Sequence, residues 1–370
     1  MINKMKSKKN YLSNRLKSRL RIVVAVAVIM AIFSMLSLMV YSQMSDLRWS
    51  LTDYAWVCVV TGSIGGLLAS YELIFVEGSH GRWIRRGHPI VPLGLSLLVY
   101  STTFLVAMLL LNLVVYNDGD PNTYMGIPID NKFALLGDVV AGTILFALIF
   151  AVFMLRRVVD GRTFGNLING RYRRAVPDEM IFMFLDLEAS TQLAEELGEV
   201  GAYNLISTFF FDIDEAILDH QGSPHRYIGD GMMITWPLKK GFSDANCLRC
   251  FFAIEDVVQR RADYYQATFG TVPKFRAGLH YGPVAVGECG DSHREVHFFG
   301  DTVNTASRIE DKCRELKQPF LASSDVVEQM IVPAFLETED LGEFQLKGRK
   351  NNLGLQSIRR RTNAEIGADG

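Results

Sequence analysis

The sequence predicts two joined folds: a four-span α-helical membrane domain, followed by an α+β domain of the ferredoxin-like type. Three observations predict this arrangement. Of the 370 residues, 49% are hydrophobic, which is more apolar than an ordinary soluble protein. Long apolar stretches are confined to the first 155 residues. From residue 178 onward, the pattern alternates segments typical of strands and of helices.

The four apolar stretches lie at residues 22–41, 54–76, 90–115 and 133–155. Each reaches the roughly 20 residues that a helix needs to cross a bilayer. The first 21 residues contain eight lysines and arginines and no acid, and further arginines lie between the second and third spans and after the fourth. The positive-inside rule therefore predicts an integral protein of the plasma or inner membrane with both termini in the cytoplasm. The basic start lacks any groove-reading pattern, so we expect a lipid bilayer and no nucleic acid as its partner.

Small residues in the second span, Gly62, Gly65, Gly66 and Ala69, allow close helix contact, within one bundle or between protomers. Two acids, Glu72 and Asp138, lie near the ends of spans. An acid inside a membrane is a candidate site, but so close to the interface we favour simple solvation. The signal that this domain would sense is not evident from the sequence.

A linker at residues 156–177 is rich in glycine and ends in a proline, which favours a break in the fourth helix. It is either a flexible tether or an element that transmits motion from the membrane. The tail at residues 359–370 has no packing pattern, and we expect it to be disordered. The five cysteines are scattered, which favours reduced thiols in the cytosol.

The soluble half begins with a strand at 181–187 and a helix at about 191–220. A hairpin follows at 225–236 around a Gly-Asp-Gly turn, and Ser243 is expected to cap an amphipathic helix that ends near Phe269. Strand-like segments occupy 275–300 and a helix occupies 301–316. The order strand, helix, hairpin, helix, strand is that of the ferredoxin-like fold.

This order has a chemical consequence for two aspartates. Asp186 lies at the end of the first strand and Asp230 at the tip of the hairpin. If the strands are neighbours, both carboxylates project from one sheet edge, where hard oxygen ligands suit Mg²⁺. The turn at residues 188–191 opens a helix whose N–H groups could hold a phosphate chain.

Three motifs, FMFLDLEASTQLAEELG, YIGDGMMITW and FFGDTVNTASRIE, resemble the signatures of class III adenylyl and guanylyl cyclase domains, in the order that family has. The resemblance covers residues 178–358. It implies a palm-type catalytic domain that converts a purine nucleoside triphosphate to a 3′,5′-cyclic monophosphate. It also implies a head-to-tail homodimer with active sites at the interface, because that family takes its metal aspartates and its Asn/Arg pair from different chains.

The resemblance implies a role for each matched position. Asp186, Asp230 and the backbone carbonyl of Leu187 would bind two Mg²⁺ or Mn²⁺ ions. Asn304 would orient the ribose and Arg308 would stabilise charge on the α-phosphate. Lys347 matches the lysine that contacts the terminal phosphates, with Lys350 as the alternative.

The positions that read the base depart from both family patterns. Arg226 stands where adenylyl cyclases have lysine, and His297 where they have Asp or Thr; the Glu and Cys of guanylyl cyclases are also missing. Arginine only donates hydrogen bonds, so Arg226 suits adenine N1 or guanine O6 equally, whereas histidine donates or accepts according to its tautomer. Because no acceptor for guanine N1–H and N2 is evident, we favour ATP over GTP as the substrate.

The resulting hypothesis is a membrane-bound adenylate cyclase that functions in signal transduction. One alternative is a guanylate or mixed-specificity cyclase. Another is a catalytically silent membrane sensor that uses a cyclase-like dimerisation module, although the complete residue set counts against it. A regulated transporter is disfavoured because the spans lack broken helices and repeats, and a diguanylate cyclase because its Gly-Gly-Asp/Glu-Glu-Phe signature is missing.

Overall fold

A computed structural model of the chain describes residues 19–36, 39, 51–76, 91, 94–103, 106, 123–124, 127–128, 144, 151, 174–290, 295–348 and 351–361. The chain divides into two compact units, Met1–Gly165 and Asn166–Gly370. Most of the predicted basic start, third and fourth spans, linker and tail lies outside the described residues, as do Asp138 and Lys350.

Two helices of the first unit are long and apolar enough to cross a membrane. The first, α1, covers Arg19–Leu36; the second, α2, covers Leu51–Ser70 and continues as a π-helix over Tyr71–Val76. These two match the first two predicted spans. In the region of the third predicted span, residues 94–103 are helical. Two short strands, β1 (Thr123–Tyr124) and β2 (Ile127–Pro128), pair between the third and fourth predicted spans.

The small residues of α2 pack against α1 of the same chain. A Cβ atom added to Gly62 would lie 3.1 Å from the Ala27 carbonyl oxygen, and one added to Gly65 would lie 2.7 Å from Met30 Cγ. Beside them the Ser34 and Thr61 hydroxyls are 2.8 Å apart and form a hydrogen bond between the helices. The sequence left open whether these small residues pack within one bundle or between protomers. In the described residues they pack within one bundle.

The position of Glu72 differs from the expectation that this acid is solvated near the membrane interface. Its residue is 1% exposed and lies in the π-helical turn with the buried residues Leu73 and Val76. It is packed inside the protein rather than solvated at the interface. Ala69 and Leu73, four residues apart, pack against Ile22, Val23 and Val26 of α1. Side chains close to this contact are therefore shielded from solvent.

The second unit contains an eight-stranded mixed sheet and six helices in the described residues. Its elements are β3 (Val176–Leu187), α3 (Ser190–Asp219), β4 (Ser223–Ile228), β5 (Gly231–Pro237), α4 (Leu238–Phe242), α5 (Asn246–Arg260), α6 (Ala262–Phe269), β6 (Phe275–Cys289), β7 (Glu295–Phe299), α7 (Asp301–Leu316), β8 (Phe320–Ser323), α8 (Ser324–Glu328), β9 (Leu336–Phe344) and β10 (Leu353–Arg360). The strand order is β4-β5-β3-β6-β8-β10-β9, with β7 paired to β6. The first four strands in this order, with α3 and α5, are the predicted ferredoxin-like arrangement, extended by three strands on the β6 side.

The strand-like segments predicted within 275–289 form one continuous strand, β6, which runs through Pro283. One local prediction is wrong. Ser243 does not cap the following helix. Instead it opens a 3₁₀ turn, and α5 begins only at Asn246, because Asp244 and Ala245 adopt left-handed conformations with φ of 53° and 50°.

The core lies mainly between β3, β5 and β6 and the helices α3 and α5. Ile181, Phe209, Trp236, Phe251 and Phe320 are essentially inaccessible to solvent there. On the other side of β6, α7 packs close to the strand. A Cβ atom added to Gly278 would lie 2.3 Å from the Glu310 backbone nitrogen and 2.7 Å from the Ala306 carbonyl oxygen. Only glycine permits this backbone-to-backbone approach.

We predict that Gly278→Ala lowers the free energy of unfolding by about 3 kcal/mol or more, at or above the usual range for overpacking, because the obstacle is backbone. Gly282→Ala should cost less, because its added Cβ would meet the Thr302 hydroxyl, 2.8 Å away, at the end of a side chain. Denaturant midpoints of the two variants would test this. Equal losses would contradict the close packing of α7 on β6.

Candidate active site

Two aspartates meet where β3 ends and the β4–β5 hairpin turns. Asp186 pairs with Gly231 in the β3–β5 register, so Asp230 directly precedes its partner. Gly229, with φ of +61°, makes the turn that presents Asp230. Burial, followed by the negative charge of Asp230, raises the pKa of Asp186. The structure thus brings together the two residues predicted to bind metal.

This pair fits a divalent cation through the chemistry of its donors. The negative charge of Asp230 raises the pKa of Asp186, so the site holds excess negative charge, which a divalent cation neutralises. Carboxylate oxygens are the donors that Mg²⁺ and Mn²⁺ prefer. Across the described ranges, no group of three or more His, Cys, Asp or Glu could form a closed protein cage for a metal ion. A cation held by these two carboxylates would keep coordination positions for oxygens of a substrate.

Arg276, which the sequence analysis missed, lies against this pair. It is the β6 residue opposite Asp186 in the β3–β6 register. Its Nη2 donates to Asp186 Oδ2 at 2.5 Å and its Nε donates to Glu310 Oε1 at 2.5 Å. A signal was present in the sequence, since an arginine inside an otherwise apolar strand is rarely buried without partners.

A cavity of about 620 Å³ opens beside Asp186. One wall is the turn Leu187–Thr191 and the start of α3; the other includes three cations, Arg276, Arg314 and Lys317. A helix N-terminus facing several cations favours anions, and the cavity is large enough for a chain of phosphates. The turn at 188–191 therefore lines a cavity suited to the phosphate-binding role expected of it.

The two predicted base-reading residues also meet. Arg226 Nη2 lies 3.2 Å from His297 Nε2. They come from β4 and β7, which are not neighbours in the sheet. β7 reaches β4 because it folds over the sheet: the Phe298 ring centroid lies 5.3 Å from that of Phe182 on β3 and 4.7 Å from that of His225 on β4.

Glu295 completes this base-reading cluster of Arg226, Glu295 and His297. Its carboxylate forms an ion pair with Arg226 and lies 3.9 Å from His297 Nε2. A carboxylate acceptor that the sequence analysis did not identify therefore lies beside Arg226 and His297, the two residues predicted to read the base. The pattern that could have revealed it is strand alternation, since Glu295 precedes His297 by two positions and shares its face of β7.

The residues of the third motif lie on α7. Asn304 is exposed, and Arg308 is half-buried with Nη1 3.7 Å from Asp301 Oδ1. A Cβ atom added to Gly348 would lie 3.2 Å from Arg308 Nη2, so the turn that carries the exposed Lys347 adjoins Arg308. Asp186 and Arg308 therefore have different surroundings within one chain: Asp186 contacts Arg276, and Arg308 lies beside Gly348.

Comparisons with known proteins show what the chain is similar to. Residues 174–356 match the family model for the adenylate and guanylate cyclase catalytic domain. Adenylate cyclase 2 of Rhizobium meliloti (strain 1021) is 36% identical over 230 residues, covering 62% of this chain and 61% of its own length. Adenylate cyclase 1 of the same organism is 27% identical over 218 residues, 58% of this chain and 31% of its own length. The chain thus spans less than two thirds of the length of these relatives.

Guanylate cyclases are among the relatives too. A receptor-type guanylate cyclase of Caenorhabditis elegans is 28% identical over 184 residues, 46% of this chain and 15% of its own length. Among solved structures, a bacterial light-regulated adenylyl cyclase superposes with a TM-score of 0.51 at 20% identity, covering 62% of this chain and 67% of the other. That structural likeness concerns the fold alone.

The raised pKa of Asp186 gives a direct test of the aspartate pair. Replacing Asp230 by asparagine removes a nearby negative charge, so Asp230→Asn should lower the pKa of Asp186. Arg276→Gln should raise it, because a positive neighbour is lost. Carboxyl ¹³C NMR titration of the metal-free protein measures both shifts, with Asp244→Asn as the remote control. An Asp186 pKa that is unchanged in Asp230→Asn would contradict the pairing of the two aspartates.

Proposed function

Because residues 174–356 belong to the class III adenylate and guanylate cyclase catalytic domain family, we propose that the chain is an adenylate cyclase that converts ATP to 3′,5′-cyclic AMP and pyrophosphate. The observation that carries the proposal is the pairing of Asp186 with Asp230 beside a cavity lined by cations. The choice of ATP draws support from the relative at 36% identity, which is named adenylate cyclase 2.

Asp186, Asp230 and the backbone carbonyl of Leu187 would hold two Mg²⁺ or Mn²⁺ ions. When bound, these ions lower the pKa of the ribose 3′-hydroxyl and neutralise charge on the triphosphate. The mutual repulsion of the two carboxylates supports this role, because a cation relieves it. Asp186 Oδ2 accepts the hydrogen bond from Arg276, which fixes the orientation of the carboxylate.

The remaining groups of the chain position the substrate and stabilise charge. Arg276 and the turn at residues 188–191 face the phosphates from within the cavity. Asn304 orients the ribose, Arg308 stabilises the charge that develops on the α-phosphate, and Lys347 holds the terminal phosphates. The 3′-hydroxyl loses its proton to water as its oxygen attacks the α-phosphorus, and the bond from that phosphorus to the pyrophosphate oxygen breaks. Catalysis is then mainly positioning and electrostatic stabilisation.

A complete site requires two protomers. Asp186 contacts Arg276, whereas Arg308 lies beside Gly348, and each residue faces a different part of the same chain. In a head-to-tail homodimer the aspartates of one protomer meet Asn304 and Arg308 of the other. Two-fold symmetry then creates two equal sites at the interface.

The first unit would anchor this dimer in the plasma or inner membrane. We propose four spans within residues 22–155, with both termini in the cytoplasm, and a linker at 156–177 that transmits motion to the catalytic domain at 178–358. The two described helices of sufficient length, α1 and α2, support the first two spans.

Arg226 is central to base selection. Its bond to Glu295 holds the guanidinium in place, so its remaining N–H groups could donate to adenine N1. The N1–H of guanine would instead face another donor. A guanylate cyclase is the second candidate function, because the Glu295 carboxylate supplies an acceptor that guanine could use. A silent sensor module is less well supported, since Asp186, Asp230, Asn304 and Arg308 are all present.

Complementation between two inactive variants tests the proposed function and the shared site together. Asp230→Ala and Arg308→Ala should each lower kcat by at least about 100-fold, the usual loss of an electrostatic stabiliser. Co-expressed, they should recover about one quarter of wild-type activity, because half of the dimers carry one intact site.

Cyclic nucleotide produced by each variant alone and by the mixture, at matched protein concentration, is the readout. Size-exclusion chromatography of the variants checks that they remain dimers. Wild-type turnover by Asp230→Ala would contradict the metal assignment. Full inactivity of the mixture would contradict the site shared between protomers.

Base selection has its own test. Glu295→Gln frees the Arg226 side chain, so discrimination against GTP should fall by about ten-fold, or roughly 1.4 kcal/mol, in the ratio of kcat/KM values. Glu288→Gln is the matched control, because Glu288 lies on β6 opposite Val296 of β7. An unchanged ratio in Glu295→Gln would show that the Arg226–Glu295 pair does not select the base.

A further inference from the structure

One guanidinium joins two carboxylates that belong to different parts of the fold. Arg276 donates through Nη2 to Asp186 on β3 and through Nε to Glu310 on α7, both at 2.5 Å. The side chains of Arg276 and Glu310 are only 7% and 12% exposed. Charge-assisted hydrogen bonds this far from water are strong and directional. A change in the charge of either carboxylate is therefore felt by the other.

The part of α7 that carries Glu310, in the interior of the helix, packs closely on β6. Its backbone lies against Gly278, where an added Cβ atom would be 2.3 Å from the Glu310 nitrogen. The Cys313 thiol donates to the Ala277 carbonyl oxygen at 3.2 Å, one turn further along α7. Because this close packing leaves little free space, a displacement of the Arg276 side chain also displaces α7.

The same helix carries Asn304 and Arg308. In the proposed dimer, on which this inference rests, Asp186 serves one active site, while Asn304 and Arg308 of the same protomer serve the other. The three residues Asp186, Arg276 and Glu310, called here the bridging triad, therefore span the interior of one protomer between two active sites.

We propose that Arg276 and Glu310 are positioning residues that couple the two active sites of the dimer. When Asp186 binds a divalent cation, its carboxylate has less negative charge to share with Arg276. The guanidinium then bonds more fully to Glu310 and fixes α7, which presents Asn304 and Arg308 to the opposite site. Occupancy of one site prepares the other, so the two sites cooperate positively.

The first test reads the helix rather than the product. In wild-type protein, Mn²⁺ added without nucleotide should slow hydrogen exchange at the backbone amides of Asp301–Leu316. Glu310→Gln should abolish that slowing, although Mn²⁺ still binds by electron paramagnetic resonance. Asp311→Asn, with the same charge change at the adjacent exposed position, should keep it. The proposal is overturned if Mn²⁺ still slows hydrogen exchange of α7 in Glu310→Gln. It is also overturned if wild-type protein binds Mn²⁺ without any slowing of this exchange.

The second test uses mixed dimers with one intact site, formed from an Asp230→Ala protomer and an Arg308→Ala protomer. With Glu310→Gln added to the Arg308→Ala protomer, which supplies the aspartates, the Mn²⁺ concentration for half-activation should rise about ten-fold, as for other groups that orient a metal ligand. With Glu310→Gln added instead to the Asp230→Ala protomer, which supplies α7 to the intact site, kcat should fall. The Mn²⁺ concentration for half-activation should then stay unchanged.

A purely structural ion pair would give the same loss in both arrangements, and that result overturns the coupling. If Glu310→Gln does not fold, Arg276→Lys replaces it with the same expected split, because an ammonium lacks the rigid arrangement of Nε and Nη2 donors with which the guanidinium orients both carboxylates. An inactive wild type overturns the proposed function and the coupling with it. An active wild type in which Glu310→Gln behaves like Asp311→Asn overturns the coupling alone.

Discussion

The register of β3 between β5 and β6 is the constraint on which the site depends. In that register Asp186 faces Gly231 on one side and Arg276 on the other. A slip of one residue would turn Asp186 to the opposite face of the sheet and remove Ile181, Met183 and Leu185 from the core that buries them completely. The hydrophobic cost of that slip keeps the carboxylates of Asp186 and Asp230 close to the guanidinium of Arg276. In the unfolded chain these three charged groups interact only weakly.

The sequence was sufficient to predict the elements whose signals are local. The buried run of β3, the Gly-Asp-Gly turn before β5 and the helical segment at 301–316 each identify their element. The pairing of Asp186 with Asp230 then follows from the ferredoxin-like order of strands. Local signals were also misleading, as at Ser243, because the left-handed Asp244 and Ala245 delay the start of α5.

The residues that sequence analysis missed are those whose partners are distant along the chain. Arg276 and Glu310 meet through the packing of α7 on β6, which depends on Gly278. Glu295 meets Arg226 only because β7 folds over the sheet to bring Phe298 against Phe182. In both places a carboxylate holds an arginine in one orientation, so the charge is organised before any substrate binds.

The most direct measurement is turnover by the purified, detergent-solubilised chain with Mn²⁺ and equal ATP and GTP, with both cyclic products resolved. We expect mainly cyclic AMP, because Arg226, which Glu295 holds in place, would donate to adenine N1 and oppose the N1–H of guanine. Mainly cyclic GMP would contradict the choice of substrate. No cyclic nucleotide from either substrate, across a range of Mn²⁺ concentrations, would contradict the central claim that this chain is a cyclase.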